Sequence, residues 1–469
     1  MFFQLILISS VILSAIFSNK FLKALGIPTL LFFLVLGMFF SSSGLYKLNF
    51  TDFQSVVKLT SIGLSFIIFF GGFCTEWKKA KPVIYRASIL STFGVLFTAI
   101  LTGMFCFCVL KLNIPESFLI GSVIASTDAA SVFSILKSKY LNLKENTAPL
   151  LEIESGSNDP MSYVLVVLSI ALFQNNSGDF ILILFFKQIL LGVLIGFFIA
   201  KLGLLVFKKT DIITDGNDSL FIIALVFISY AIAEKVNGNP FLATYFLGII
   251  LGNSYIDNKE AILNFFDGIT KLAQIGIFFV LGLFAVPLKV KEIFQTGILI
   301  FLFLTFLARP IAVYLLLKPF KSSNGQIFLT SWAGLRGVAS IVFAIIATDS
   351  SLNLRYDLFH LVFLISILSI AIQGTLLPSV AKIFDMIDYE IDIKKTFMDY
   401  KEECVIKLME ITVPFKHFWV GKRIKDIEFP DKGLVIIIKR GNHKILPHKN
   451  TKIQSGDKIT LSIPSSEED

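Results

Sequence analysis

The sequence predicts an all-α polytopic membrane protein: about thirteen transmembrane helices in inverted repeats with two crossed broken helices, followed by a small α+β cytoplasmic C-terminal domain. Three observations carry this fold class. Of 469 residues, 55% are hydrophobic and 16% charged, with a mean hydropathy of +0.78, which is more apolar side chain than a water-soluble core can hide. The apolar residues gather into runs of roughly 17 to 25, each able to cross ~30 Å of hydrocarbon as a helix. After Leu377 the composition changes, charges become frequent and short alternating stretches appear.

The runs lie near residues 2 to 18, 25 to 41, 56 to 74, 87 to 110, 117 to 137, 147 to 173, 180 to 207, 219 to 234, 241 to 254, 263 to 286, 296 to 317, 326 to 348 and 357 to 377. The first lacks a basic leader and a small-residue cleavage site, so it reads as a retained helix. Loops on one side carry Lys20, Lys23, Lys78, Lys79, Lys81, Arg86, Lys137, Lys139, Lys144, Lys208, Lys209, Lys259, Lys318 and Lys321, and the opposite loops carry roughly half as many basic residues. The positive-inside rule then puts the N-terminus outside and the C-terminus in the cytoplasm. The net charge of +8 is thereby used for orientation, and no nucleic-acid partner is implied.

Cys74, Cys106, Cys108 and Cys404 form no CxxC pair, so neither a disulfide nor a zinc framework is expected, and no cofactor is called for. Residues 1–385 read as the membrane domain, 386–399 as a linker and 400–469 as a soluble domain, with alternation at Gly433 to Lys439 and Lys458 to Ile463. The tail holds no GxGxxG or GxxxxGK[ST], which disfavours an ATP-driven pump. No nucleophile constellation or metal motif suggests an enzyme.

Ionisable groups in mid-membrane are costly, at least ~2.5 to 3.5 kcal/mol each, so their positions direct the functional reading. The fifth run has Ser126, Thr127 and Asp128 near its midpoint, the pattern of a helix interrupted inside the bilayer. The sixth contains Glu152, Glu154, Ser155, Gly156, Ser157, Asn158, Asp159 and Pro160, and must face protein or water. Helical spacing sets Ser155 over Asp159 and Glu154 over Asn158. Pro160 crowds the carbonyl of Gly156, which becomes a candidate oxygen ligand. Such oxygens suit hard monovalent cations.

The eleventh run carries Arg309 before Pro310, and the twelfth carries Gly334-Leu335-Arg336-Gly337 at its centre. The fifth and twelfth runs are seven apart and so opposite in direction, as an inverted repeat requires. Asp128 and Arg336 are placed to offset the partial charges of the half-helix ends. Structural readings stand beside these: Glu154 with Arg309 reads as an ion pair, Asp128 equally as a helix cap or an ion contact, and Arg336 as structural. Asp159 has no basic partner on its own face and is hard to explain as scaffolding.

These residues resemble the cation/proton antiporters of the bacterial NhaP and eukaryotic NHE type. The resemblance is carried by Ser126-Thr127-Asp128-Ala129-Ala130, Glu154-Ser155-Gly156-Ser157-Asn158-Asp159-Pro160, Arg309 and Gly334-Leu335-Arg336-Gly337, over about residues 1–385. The extended Ser-Gly-Ser-Asn-Asp-Pro-Met stretch is closest to the potassium/proton, cell-volume-regulation branch. The tail is similar to the C-terminal lobe of potassium-transport regulatory domains, through Val420-Gly421-Lys422 to Ile427 and Gly456-Asp457-Lys458. A nucleotide-binding lobe is missing from it, and a small-molecule regulator there is left open.

The resemblance implies a homodimer in the inner membrane whose core domain moves as an elevator. It makes Asp159 the carboxylate that takes a monovalent cation or a proton, with Thr127, Ser155 and Asp128 lining or supporting the site. Glu154 would bridge to Arg309 beside Asn158. Asn158, where other branches have a second aspartate, favours electroneutral exchange. The expected activity is antiport of K⁺, or Na⁺, against H⁺. The rival from another class is a gated cation channel with a regulatory tail, against which the missing ring of filter carbonyls argues.

Overall fold

A computed structural model describes residues 9–11, 13–14, 29–41, 53–139, 141–174, 176–209, 217–256, 259–350, 352–388, 406–414, 417–427, 429, 434–440 and 443–464. The first apolar run falls almost wholly outside these, with only 9–11 and 13–14 seen as helix. The remaining runs are all helical. In chain order they form α1 (Thr29–Phe40), α2 (Phe53–Cys74), α3 (Ile84–Cys108), α4 (Ile114–Val123), α5 (Ala129–Ser138), α6 (Thr147–Phe173), α7 (Gly178–Lys209) and α8 (Asn217–Lys235). Then follow α9 (Pro240–Gly252), α10 (Lys259–Phe284), the short α11 (Pro287–Glu292), α12 (Phe294–Phe320), α13 (Asn324–Trp332), α14 (Val338–Asp349) and α15 (Leu358–Ile383). Eight of these are long and apolar enough to cross a membrane, among the described residues.

Several helix starts follow from local chemistry. Asn113, Asn239, Ser323 and Asp357 each accept the backbone N–H three residues on, at 2.8 Å, 3.0 Å, 3.0 Å and 3.2 Å, satisfying donors that a helix leaves open. Pro115 and Pro240 sit in first turns, where no N–H is needed. In two places a predicted run breaks. The fifth becomes α4 and α5 around Ile124–Asp128, and the twelfth becomes α13 and α14 around Ala333–Gly337. The π-helical turns Leu90–Gly94 in α3 and Leu304–Ala308 in α12 recur in runs seven apart, in keeping with inverted repeats.

Packing follows small residues. Along the α2–α9 seam a Cβ at Gly72, Gly248 or Gly252 would run into backbone of the facing helix, so only glycine permits this approach. Helix α6 occupies the middle of the membrane unit and touches α2, α3, α4, α5, α7, α9, α13 and α14. It stays helical through Pro160, whose carbonyl accepts the Asn239 side-chain amide at 2.7 Å. Of the cysteines, Cys106 and Cys108 are free thiols, and Cys404 lies outside the described residues.

The chain divides into two compact units, 1–392 and 393–469. Residues 386–388, at the start of the expected linker, pair with 142–144: Lys144 N–H donates to Met386 C=O and Asp388 N–H to Asn142 C=O, both at 2.9 Å. The second unit contains a four-stranded antiparallel sheet ordered β1 (Ile406–Thr412), β4 (Lys458–Pro464), β2 (Leu434–Arg440), β3 (His443–Ile445). Ile438, Ile459, Leu461, Val413, Ile453 and Trp419 make its core. Asp457, fully buried, receives a two-point ion pair from Arg440 at 2.7 Å and 2.8 Å, and the Gln454 N–H at 2.8 Å.

Candidate functional site

The two broken helices cross. Where they meet, the Asp128 N–H donates to the Leu335 carbonyl at 2.8 Å. A Cβ on Gly337 would occupy the position of the Asp128 carboxylate, so this close approach depends on glycine there. Asp128 also sits at the start of α5, its carboxylate accepting the Ser131 N–H at 3.2 Å and the Ser131 hydroxyl at 2.6 Å. That is helix-cap geometry, placing a negative charge at the positive end of a half-helix.

Arg336 does the converse for α4. Its Nη1 donates to the Ala125 and Ser126 carbonyls, each at 2.8 Å, so a buried cation meets the backbone oxygens just beyond the negative end of α4. Its own N–H donates to Ser369 Oγ at 3.0 Å, and that hydroxyl donates to Gln373 at 2.6 Å. The π-helical turn Ser369–Gly374 of α15 thus anchors the crossing from a third side.

Helix α6 supplies the remaining groups. Ser155 Oγ donates to the Thr127 carbonyl at 2.6 Å, and Asn158 Nδ2 donates to the Thr127 hydroxyl. Ser126 Oγ donates to Asp159 Oδ1. Asp159, Thr127, Ser155, Asn158 and Asp128 therefore converge on one crossing, with Arg336 behind it. Asp159 is half-buried and forms no ion pair among the described residues. The Asn158 Oδ1 is buried with no hydrogen-bond partner among them.

One and a half turns earlier on α6, Glu154 meets Arg309 at 2.5 Å, both side chains at most 2% exposed. A Cβ at Gly334 would come within 2.9 Å of Arg309 Nε, so that glycine makes room for the guanidinium. It is Nη2 of Arg309 that donates to Glu154 Oε1, while Nε and Nη1 have no hydrogen-bond partner among the described residues, which leaves Glu154 as the charge that answers the guanidinium.

Ser369 and Gln373 take part in this network without having been singled out from the sequence, and Ser126 was singled out as part of the break but given no role at the ion site. Ser126 carried a signal, its place directly before Thr127 in the same polar triplet. For Ser369 and Gln373 the sequence offered none, because an apolar helix with two polar residues at helical spacing reads as ordinary packing. Lys271 pairs with Asp267 at 2.7 Å, and Lys187 is exposed. His360 bonds the Val286 N–H at 3.0 Å and lies 2.9 Å from Asp357. No group of three or more metal-ligating side chains occurs among the described residues.

Comparison with known proteins agrees with this architecture. The family model described as "Sodium/hydrogen exchanger, transmembrane" matches residues 8–383, and that of the TrkA-C domain matches 408–469. The K(+)/H(+) antiporter NhaP2 of Shewanella oneidensis is 33% identical over 443 residues, covering 92% of this chain and 76% of its own length. The K(+)/H(+) antiporter NhaP of Alkalimonas amylolytica is 33% identical over 381 residues, covering 81% of this chain and 66% of its own length. Among solved structures, the sodium proton antiporter MjNhaP1 from Methanocaldococcus jannaschii at pH 8 superposes with a TM-score of 0.70 at 22% identity, over 80% of this chain and 97% of that one, a likeness of fold.

Proposed function

The chain belongs to the sodium/hydrogen exchanger family and is a monovalent cation/proton antiporter; from that premise we propose that it exchanges K⁺, with Na⁺ as the second cation, for H⁺ in electroneutral fashion at Asp159. The observation that carries the proposal is the setting of Asp159: midway along α6, at the crossing of two broken helices, with a hydroxyl donor and no cationic partner among the described residues. A carboxylate so placed binds one positive charge at a time. Either a proton or a cation neutralises it, and the neutralised site crosses the membrane more readily than the bare charge.

The other residues have roles that follow from their contacts. Thr127, Ser155 and Asp128 line or support the ion site, and Asn158 contributes an amide oxygen without titrating. Glu154 and Arg309 hold α6 against α12, and Arg336 fixes the carbonyls of the α4 break. Asn158 in place of a second carboxylate supports a one-for-one exchange. K⁺ is favoured by the Ser-Gly-Ser-Asn-Asp-Pro-Met stretch and by relatives named as K(+)/H(+) antiporters.

We further propose a homodimer in the inner membrane with the N-terminus outside and the C-terminus cytoplasmic, supported by the bias of basic residues toward one set of loops. Residues 1–385 form the transporting part, 386–399 the connection and 400–469 a regulatory domain open to a small-molecule ligand. Dissipation of a pH gradient by K⁺ and by Na⁺, each tested alone in proteoliposomes, tests the reading. K⁺ is expected to collapse the gradient at lower concentration than Na⁺. Cation flux that leaves the gradient intact would overturn antiport.

A further inference from the structure

Two buried side chains outside the ion site hold corresponding places in the inverted repeats. Glu116 lies three residues after the Asn113 cap of α4, and Gln326 three residues after the Ser323 cap of α13, each in the first half of a broken helix. They are 3% and 0% exposed. A glutamate or glutamine in this position ordinarily reaches back to the N–H of its own cap residue. Here both bond elsewhere. Glu116 Oε1 accepts the Arg355 N–H at 2.8 Å and the Tyr356 N–H at 3.4 Å, in the segment that follows α14. Gln326 Nε2 donates to the Glu145 carbonyl at 3.0 Å and to the Thr147 hydroxyl at 3.2 Å, in the segment that follows α5. Each first half is thus tied to the outgoing segment of the other broken helix.

The ties close two rings that share the crossing. One ring runs through α4, the crossing and α14 back to Glu116, and the other through α13, the crossing and α5 back to Gln326. A half-helix of 9 to 12 residues that is held only at its break can pivot about that point, and a second tie at its outer end removes this freedom. What the rings hold is the Asp128 N–H on the Leu335 carbonyl at 2.8 Å, and with it Thr127 against Ser155 of α6. Glu116 stands about 12 Å along α4 from the start of the break at Ile124, so it acts on the ion only through the crossing.

The two ties use opposite chemistry. Glu116 meets backbone donors and needs only an acceptor, whereas Gln326 meets a carbonyl and needs an N–H, its own Oε1 accepting from Arg86 Nη1 at 3.2 Å. An amide can therefore stand in for the carboxylate at 116, but a carboxylate cannot stand in for the amide at 326.

We infer that Glu116 and Gln326 are positioning residues: a pair of clamps, one at each end of the crossed helices, that keep the crossing in the geometry the ion site needs. Loss of either leaves buried polar groups unanswered and lets the break shift.

The test uses the full chain, in proteoliposomes for transport and in detergent for stability and hydrogen exchange. Glu116→Leu removes the acceptor, and Gln326→Glu sets a carboxylate against the Glu145 carbonyl; each is expected to raise the KM for K⁺ about tenfold, the low end of what loss of an orienting partner costs at an ion site. Glu116→Gln keeps an acceptor oxygen and should keep the wild-type KM. Hydrogen exchange of the peptide around Asp128, read by mass spectrometry, should quicken in the first two variants and not in the third. Gln326→Glu hardly changes the side chain's size, which keeps the inference testable if Glu116→Leu folds poorly. Wild-type KM and Asp128 protection in folded Glu116→Leu and Gln326→Glu proteins, whatever their melting temperatures, would overturn the clamps, as would Glu116→Gln behaving like Glu116→Leu. The KM measurement rests on the antiport reading above; failure of wild type to exchange K⁺ for H⁺ would overturn that reading and leave hydrogen exchange to decide the clamps.

Discussion

Glu154 and Asp159 stand five residues apart on α6, and their surroundings differ in sign and in reach. Glu154 is sealed against Arg309 with both groups out of solvent, whereas Asp159 is half-buried and answered by a Ser126 hydroxyl. The fold supplies the first with a countercharge of its own. The second forms no ion pair among the described residues, so its charge has to be balanced by whatever enters the site. The two lie about 7.5 Å apart along one helix axis, and what crosses the helix at each level makes the difference.

The largest effect that would break this contrast is at Asp159. Asp159→Asn is expected to reduce cation-dependent proton flux by at least about a hundredfold in proteoliposomes while thermal stability in detergent stays near wild type, because an amide neither releases a proton nor balances a cation. Retained exchange in a folded Asp159→Asn protein would shift the carrier role to Asp128, which shares the crossing.

Glu154 should respond in the opposite way, through stability. Glu154→Gln leaves a buried guanidinium without its countercharge and is expected to cost about 3–5 kcal/mol, as is Arg309→Ala for the carboxylate it abandons. The double variant should lose much less than the sum, since neither charge is then left alone. Additive losses in thermal melts of the three variants would show that the 2.5 Å contact carries no coupling.

A smaller change sharpens the comparison by making Asn158 resemble its neighbour. Asn158→Asp puts a second carboxylate beside Asp159 and removes the Nδ2 donor to Thr127. Adjacent like charges resist ionising together, so the pH optimum of exchange should move upward, by about one pH unit. An unchanged pH profile measured with K⁺ would mean that position 158 does not share the site's electrostatics.

The smallest effect lies in the tail, where Asp457 repeats the Glu154 pattern in water. Burial pushes its carboxyl up, but hydrogen bonds from Arg440 and from the Gln454 N–H outweigh this and hold it below the usual carboxylate range. The folded tail then takes up this proton less readily than the unfolded chain does. The stability it contributes is complete above the ordinary carboxylate pKa of ~3.9 and is lost as pH falls through the lower folded value. Hydrogen-exchange protection of β4 should fall with acidification in the wild type and should be low and less pH-dependent in Asp457→Asn.

Much of this architecture was written locally. Runs of apolar residues specify helices because lipid satisfies no backbone group. Ser126-Thr127-Asp128 and Gly334-Leu335-Arg336-Gly337 marked the two breaks because they interrupt such runs with groups that bond to nearby backbone or give no helical support. The tail strands near 434–440 and 458–464 were equally readable as alternating stretches, whereas the caps at Asn113, Asn239, Ser323 and Asp357 emerged only in the structure.

The amino-acid order by itself therefore determined the helical kind of the membrane elements, where two of them break and which charged residues lie along them. Apart from Glu154 with Arg309, already read as an ion pair, only the tertiary structure decided their partners. That Arg336 reaches Ala125 and Ser126 across 211 and 210 residues, that the Ser126 hydroxyl meets Asp159, and that Ser155 and Asn158 meet Thr127 all follow from which helices cross at a given level. Those crossings are set by small-residue seams such as Gly72 against Gly248, whose close approach is a property of two surfaces together. A local pattern can announce that a charge is buried, but its partner arrives from a distant part of the chain, and packing selects it.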